Sequence, residues 1–226
     1  MYPRSRRAAP VRRRRLPWLA AAIVPLLAAG ACSTPLRSAD APASGTPSPT
    51  TSEAKVDLSR LPVPRTEFCD VLSKQDVGRA LDGPVEKTAH YGNGDEFEVR
   101  PGYRDVSHEY GCVFESRDGA TAKVWVFARP VTTKEARMLV RRERSRRGCS
   151  FPDSIGFGNP GLTSVCRIHG AESSDPTVRS RLEGLFRDSW MACEVSRPFQ
   201  RGSRSDVLQR AETWCTGVAT TVAARP

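Results

Sequence analysis

The chain has 226 residues, of which 38% are hydrophobic and 27% charged, a composition that allows a globular domain. Its formal charge of +10 comes mostly from seven arginines in the first 31 residues, because the remainder carries 28 basic and 25 acidic side chains. This small excess excludes the strong, localised positive field of a nucleic-acid-binding protein, so we expect no nucleic-acid partner.

The first 31 residues have the order of an export signal. A basic segment ending at Arg15 precedes an apolar stretch from Leu16 to Ala28, which is too short for a comfortable membrane span. Small residues at 29–31 then precede Cys32, as in bacterial prolipoproteins, whose cysteine takes a lipid before the signal is removed. We predict a signal peptide over 1–31 and a membrane partner through lipid on Cys32, on the extracytoplasmic side of the cell membrane.

Two alternatives to the lipid anchor stay open. Ala29 stands where a prolipoprotein usually has leucine, and small residues at 29 and 31 also suit an ordinary signal peptidase, which would give a secreted protein. An uncleaved membrane anchor is the remaining alternative.

The cysteine count favours lipidation. The chain has seven cysteines, so lipid on Cys32 leaves an even number that can pair in an oxidising compartment. We expect three disulfides that tie helices to the sheet, with the pairs Cys69–Cys112, Cys149–Cys215 and Cys166–Cys193.

Residues 32–64 are rich in Ser, Thr, Pro and Ala, with almost no large apolar side chain before Leu58. Such a segment cannot bury enough apolar surface to offset the entropy lost on ordering, so we predict a disordered tether. The remaining residues, 65–226, are enough for one extracytoplasmic domain.

Within the domain, caps and turns predict the first half. A capping box that begins at Ser73 predicts a helix over 74–81, and another at Thr132 predicts a helix to about Arg147. Asp118-Gly119 lies between apolar segments and predicts a hairpin. Residues 87–109 are polar, and we expect a long loop or a weak edge strand there.

The second half reads as three strands and a helix. Strands are predicted over 162–168, 178–186 and 189–196, and a helix over 203–222. The periodic residues of that helix are Val207, Ala211, Trp214, Val218 and Val222. The order predicts an α+β fold, an antiparallel sheet with helices packed on it in a disulfide-stapled single domain.

Several short motifs carry a family resemblance. They are Phe68-Cys69-Asp70-Val71-Leu72, the segment 76–81, Gly111-Cys112-Val113-Phe114 and Trp214-Cys215. Together they resemble the actinobacterial lipoproteins with the domain of unknown function numbered 3558, over most of residues 66–222. The resemblance implies a membrane-anchored envelope protein and brings no established chemistry.

Catalytic motifs are not evident in the sequence. The three histidines lie in separate segments, and there is no Gly-x-Ser-x-Gly, phosphate loop or His-Glu-x-x-His. Cys166 and His169 have a metal-like spacing, but no second close pair completes four ligands. We therefore expect no metal and no cofactor. Trp125, Trp190 and Trp214 are expected to fill the core, with a ligand stack as the alternative.

The one charge run of the domain is a set of arginines at the end of the second predicted helix. We interpret it as a solvated helix end, and alternatively as a contact for anionic headgroups or wall phosphates. The residues concerned are Arg141, Arg142, Arg144, Arg146 and Arg147.

Two functions follow from these observations. The favoured one is a non-catalytic binding or interaction module whose partner is an unknown envelope ligand or protein. The alternative is a secreted or envelope hydrolase that uses carboxylates such as Asp95, Glu96 or Glu98. A cleft lined by two carboxyl groups with shifted pKa values would favour the enzyme, and an apolar groove would favour binding.

Overall fold

A seven-stranded antiparallel sheet organises the domain. The structure is a computed structural model that describes residues 57–153, 155–169 and 176–225. The predictions for the signal peptide, Cys32 and the tether up to residue 56 lie outside the described residues. The described residues form a single α+β domain with three disulfides, as the sequence predicts.

The strands and helices have the following bounds. The strands are β1 (Val85–Tyr91), β2 (Glu96–Arg100), β3 (Tyr103–Val106), β4 (Glu109–Ser116), β5 (Thr121–Phe127), β6 (Cys149–Ser150), β7 (Gly161–Ile168), β8 (Thr177–Phe186) and β9 (Ser189–Pro198). The helices are α1 (Lys74–Leu81), α2 (Thr133–Arg144) and α3 (Arg204–Ala223). The main sheet has the order β1-β4-β5-β9-β8-β7-β6, and β2 and β3 form a separate hairpin.

Side-chain caps explain where the helices begin. The hydroxyl of Ser73 accepts the N–H of Asp76, Thr132 and Glu135 form a full capping box, and Ser203 caps α3 in the same way. The first two helices were predicted from these caps and the third from the spacing of its apolar residues, and the structure confirms all three.

One face of the sheet, the core face, is covered by α1 and α3. Val124 and Val126 of β5 point to this face and are fully buried, as are Ala211 and Val222 of α3. Burying each such aliphatic side chain stabilises the fold by roughly 1.5–3 kcal/mol.

The opposite face, the outer face, is covered by α2 over β7 and β8 and, through Trp190, over the start of β9. Ala136 of α2 packs there in a small apolar cluster with Leu185 and Trp190. The strand register places Arg181 and Glu194 on this face beside Trp125, so charged side chains lie where a second apolar core would otherwise form.

The disulfides join Cys69 to Cys112, Cys149 to Cys166 and Cys193 to Cys215. The first predicted pair is confirmed, whereas the predicted pairs Cys149–Cys215 and Cys166–Cys193 are wrong. Cys166 lies on the outer face opposite Arg179, while Cys193 lies on the core face beneath α3, with β8 between them. Each bridge contributes about 2–4 kcal/mol by restricting the unfolded chain.

Two other predictions need correction. For residues 87–109 the long loop is wrong and the edge strand is confirmed in part, because they form most of the edge strand β1 and the whole hairpin of β2 and β3. The end of the predicted tether belongs to the domain, since Leu58 and Val63 are buried in the core. The hydroxyl of Ser189 also donates to the carbonyl of Val63 at 2.7 Å.

Over the described residues, no helix combines the length and the apolar character that crossing a membrane requires.

Candidate functional site

A cleft of about 620 Å³ lies between the β2–β3 hairpin and the end of the main sheet. We call it the hairpin cleft, and it is found where β1 ends, β4 begins and β5 ends. Its lining residues are Tyr91, Asp95, Glu96, Phe97, Asp105, Val106, Ser107, His108, Glu109, Phe127 and Arg129.

Exposed apolar side chains concentrate on the hairpin. Phe97, Val99, Tyr103 and Val106 are each between 40% and 52% exposed. They are four of the six large apolar side chains that are exposed in the described part of the chain. Scattered single exposed apolar residues are normal, but a cluster of them is typical of an interaction surface.

Backbone hydrogen bonds close the base of the hairpin. The N–H of Gly94 donates to the carbonyl of Ser107, and the N–H of Ser107 donates to the carbonyl of Asp95, both at 2.8 Å. The carboxylate of Asp95 also accepts the N–H of Gly92 at 2.7 Å. The two legs of the hairpin are therefore joined by backbone hydrogen bonds where the hairpin leaves the main sheet.

The three carboxylates predicted for a hydrolase hold the hairpin together. Asp95 caps the turn before β2, and Glu96 forms an ion pair with Arg104 at 2.9 Å. Glu98 accepts the N–H of Gly102 at 3.0 Å. Asp95 and Glu96 do line the cleft, whereas Glu98 does not.

Glu109 and Tyr91 face each other in the cleft, and neither was predicted from the sequence. The Tyr91 hydroxyl donates to Glu109 at 2.8 Å. Burial raises the pKa of Glu109, and this effect is opposed by the Tyr91 hydrogen bond and the positive charge of Arg181. Burial also raises the pKa of Tyr91. The Tyr91 ring lies against Gly111, where a side chain would collide with it.

Behind the cleft, the outer face carries a set of charged side chains, all but Arg146 at least partly buried, which we call the charge cluster. Two nitrogens of Arg181 donate to one oxygen of Glu194, at 2.7 and 2.8 Å, and the Arg181 guanidinium lies over the Trp125 ring. The members of the charge cluster are Glu143, Arg146, Arg179, Arg181, Glu183 and Glu194.

A second hollow, of about 370 Å³, lies at the other end of the sheet, where β7 ends. We call it the basic pocket. Its lining residues are Arg146, Arg147, Cys149, Cys166, Arg167, Ile168, His169 and Arg179.

Only two of the five arginines predicted as an anion contact line this pocket. Arg146 and Arg147 do so, while Arg141, Arg142 and Arg144 are exposed along α2 outside it. Arg167 and Arg179 were missed, because the strands that carry them are distant in sequence from the arginine run.

The metal-like spacing of Cys166 and His169 does not produce a metal site. The sulfur of Cys166 is bonded to Cys149, so it cannot act as a thiolate ligand. No group of three potential metal ligands is found among the described residues.

The tryptophans are in part as predicted. Trp190 and Trp214 are buried in the core, whereas Trp125 is only partly covered. Trp214 also borders a groove of about 520 Å³ between α1 and α3.

Comparisons with known proteins provide no functional assignment. No protein-family model matches the chain, and no curated protein matches it. A solved structure from Bacteroides thetaiotaomicron VPI-5482 aligns with 54% of this chain at 13% identity and a TM-score of 0.31. The aligned part spans 42% of that chain, and the likeness carries no inference about function.

Proposed function

We propose that this protein is a non-catalytic binding module of the cell envelope, and that the hairpin cleft is where it holds a partner protein. The module is anchored by lipid on Cys32 at the outer face of the cytoplasmic membrane. The motifs around Cys69 and Cys112 further suggest a relationship to the actinobacterial lipoproteins described above. The observation that carries the proposal is the concentration of exposed apolar side chains on the hairpin.

Contact of the hairpin's apolar side chains with water is unfavourable. Phe97, Val99, Tyr103 and Val106 stay in contact with water in the free domain, and covering them would stabilise a complex by about 25 cal/mol for each Å² of apolar surface buried. A partly apolar centre surrounded by charged groups such as Glu96 and Arg129 has the arrangement of a protein interface.

A carboxylate-dependent hydrolase is the second candidate, and the raised pKa of Glu109 is the observation in its favour. Two features oppose it. Glu109 accepts the Tyr91 hydroxyl, and Asp95 and Glu96 are already engaged in holding the hairpin. If the protein is a hydrolase, it should hydrolyse an envelope substrate, and Glu109→Gln should abolish that activity.

Site-directed photo-crosslinking tests the binding proposal. Benzoylphenylalanine replaces Phe97 or Val106 in the full chain, and Met138 in the control, because Met138 is 46% exposed on α2 away from the hairpin. We expect positions 97 and 106 to give the same discrete protein adduct in intact cells, and position 138 not to give it. The same adducts from all three positions, or none from the hairpin, would contradict the proposal.

A further inference from the structure

The basic pocket brings together four arginines and a histidine from three separate parts of the fold. Arg146 and Arg147 follow the end of α2, Arg167 and His169 lie at the end of β7, and Arg179 lies on β8. The disulfide between Cys149 and Cys166 forms part of the same wall and fixes β6 against β7.

The carboxylates nearby do not neutralise this pocket. Glu143 pairs with Arg146 at 2.7 Å and lies 3.7 Å from Arg179. Glu194 lies 3.8 Å from Arg179 and is bound by Arg181.

Arg147 and Arg167 have no ion pair within the part of the chain that the structure describes, and Arg167 is held instead against the Phe199 ring at 4.2 Å. With Glu183 ionised, the charge cluster has three arginines and three glutamates, so Arg147 and Arg167 leave the pocket with a surplus of two positive charges.

Arg179 is a buried cation in the wall of the pocket, so part of the pocket's positive charge is fixed by the fold. It is 9% exposed, and its buried Nε has no hydrogen-bond partner among the described residues, the Glu194 carboxylate oxygen lying 3.8 Å from it. Burial lowers the pKa of this guanidinium, as expected for a cation whose desolvation is incompletely compensated. An anion above it would supply part of the missing compensation, because electrostatic attraction is strong where water is partly excluded.

We propose that the basic pocket binds a phosphate group, with Arg147 and Arg167 as its direct ligands and Arg179 as a fixed charge beneath it. Guanidinium groups donate pairs of parallel N–H bonds that match phosphate oxygens, and two of them from different elements can grip one group from two sides. A volume of about 370 Å³ accommodates a phosphate ester. The ester can belong to a soluble or polymeric phosphate or to a lipid headgroup. This inference is independent of the hairpin cleft.

Hydrogen exchange of the full chain in phosphatidylcholine vesicles tests the proposal. Pyrophosphate is added as the probe, and the amides of residues 146–149 and 166–169 are followed. We expect protection of both segments, and an apparent affinity about tenfold lower in Arg147→Gln/Arg167→Gln, as for the loss of a charged hydrogen bond.

The matched control is Arg141→Gln/Arg142→Gln. It removes the same number of positive charges from exposed positions of the same domain, but at residues of α2 outside the pocket. We expect its affinity for pyrophosphate to remain within about twofold of the wild type, because exposed charges at a distance are screened by salt. Equal weakening in both double variants would show a general charge effect and overturn the proposal.

A second arm distinguishes the sources of the phosphate. Vesicles that contain phosphatidylglycerol replace the added pyrophosphate. Protection that depends on Arg147 and Arg167 in these vesicles identifies a headgroup as a source, whereas protection by pyrophosphate only identifies a soluble ester. Absence of protection in both arms would overturn the proposal. Both arginines are exposed, so the variants are expected to fold, and their three disulfides can be verified by thiol counting.

Discussion

At the scale of single residues, Arg197 joins three parts of the domain. Its guanidinium lies 3.0 Å from Asp82 after α1, 3.4 Å from Asp118 in the turn between β4 and β5, and 3.8 Å from Asp206 in α3. The arginine is 4% exposed, whereas the three carboxylates keep some contact with water. One buried cation thus lies between three acidic groups from separate parts of the domain, with which Arg201 and Arg210 also pair nearer the surface.

Replacement of Arg197 by methionine should destabilise the domain. We expect the free energy of unfolding at pH 7 to fall by about 2 kcal/mol, less than for a fully buried pair because the carboxylates are partly solvated. Chemical denaturation measures this change. Arg201→Met is the control, since Arg201 pairs with the same Asp118 but is largely exposed, and should cost less than about 0.5 kcal/mol.

The same variant should alter the pH dependence of stability. The hydrogen bond from Arg197 lowers the pKa of Asp82, and one from Ser116 lowers the pKa of Asp118. A carboxyl group whose pKa is lowered on folding stabilises the protein above its unfolded pKa, and this stabilisation disappears as the pH falls through the folded value. The difference between wild type and Arg197→Met should therefore narrow below about pH 4. A constant difference would contradict this account of Arg197.

At the scale of elements, α2 packs on a sheet face that carries charge. Glu143 of α2 and Glu183 of β8 are both nearly buried. Burial raises the pKa of Glu183 to about 7, and repulsion from Glu143 adds to the shift. The contact between helix and sheet therefore contains a carboxyl group that is part protonated near neutral pH.

Glu183→Gln should remove a loss of folding stability that arises when the buried carboxyl between α2 and the sheet ionises. In the unfolded chain the carboxyl has its ordinary pKa of about 4.5, whereas in the folded domain burial raises the pKa to about 7. The wild type therefore loses stability as the pH rises between these values, by about 3 kcal/mol in total. The free energy of unfolding of the variant should rise relative to that of the wild type by about that amount across this pH range. Denaturation at several pH values measures this difference.

The control for this experiment is Glu115→Gln. It makes the same chemical change on β4, at a side chain that is 44% exposed. If the free energies of unfolding of the wild type and Glu183→Gln changed with pH in the same way, the raised pKa of Glu183 would be contradicted.

The elements that the sequence predicted well are those specified by local signals. Caps at Ser73, Thr132 and Ser203 and the Asp118-Gly119 turn act within a few residues, and the bounds of α1, α2, α3 and the β4–β5 hairpin follow them closely. Strand β1 was predicted only as an alternative to a loop, and the hairpin of β2 and β3 was not predicted, because nearly all their side chains are exposed. Their sequence therefore lacks the alternation of a half-buried strand.

The sites were harder to predict because they depend on register. The disulfide partner of Cys166 is set by the strand register that turns this cysteine to the outer face, which no spacing in the sequence reveals. The basic pocket likewise joins Arg147 to Arg167 and Arg179 across three elements. The arginine run gave one side of the pocket, and the fold supplied the other.

At the scale of the whole molecule, the proposed anchor can be tested through Cys32. We expect mass spectrometry of the mature protein to find an acylated Cys32 as the first residue and no free thiol among the other six cysteines. Cys32→Ser should move the protein from the detergent phase to the aqueous phase in a phase-partition experiment. A full-length wild-type chain in the cytosol with reduced cysteines would contradict the proposed export.

The position where the chain joins the domain has a consequence for how the two sites are presented. Arg65 pairs with Asp188 in the turn between β8 and β9, which lies at the same end of the sheet as the hairpin cleft. The basic pocket lies at the far end, about 30 Å away for strands of this length. A partner in the cleft would bind at the end of the sheet that carries the ion pair of Arg65 and Asp188, and a phosphate would bind at the opposite end. The sheet keeps the two sites at a fixed distance. A protein in the hairpin cleft and a phosphate in the basic pocket could therefore be bound at the same time.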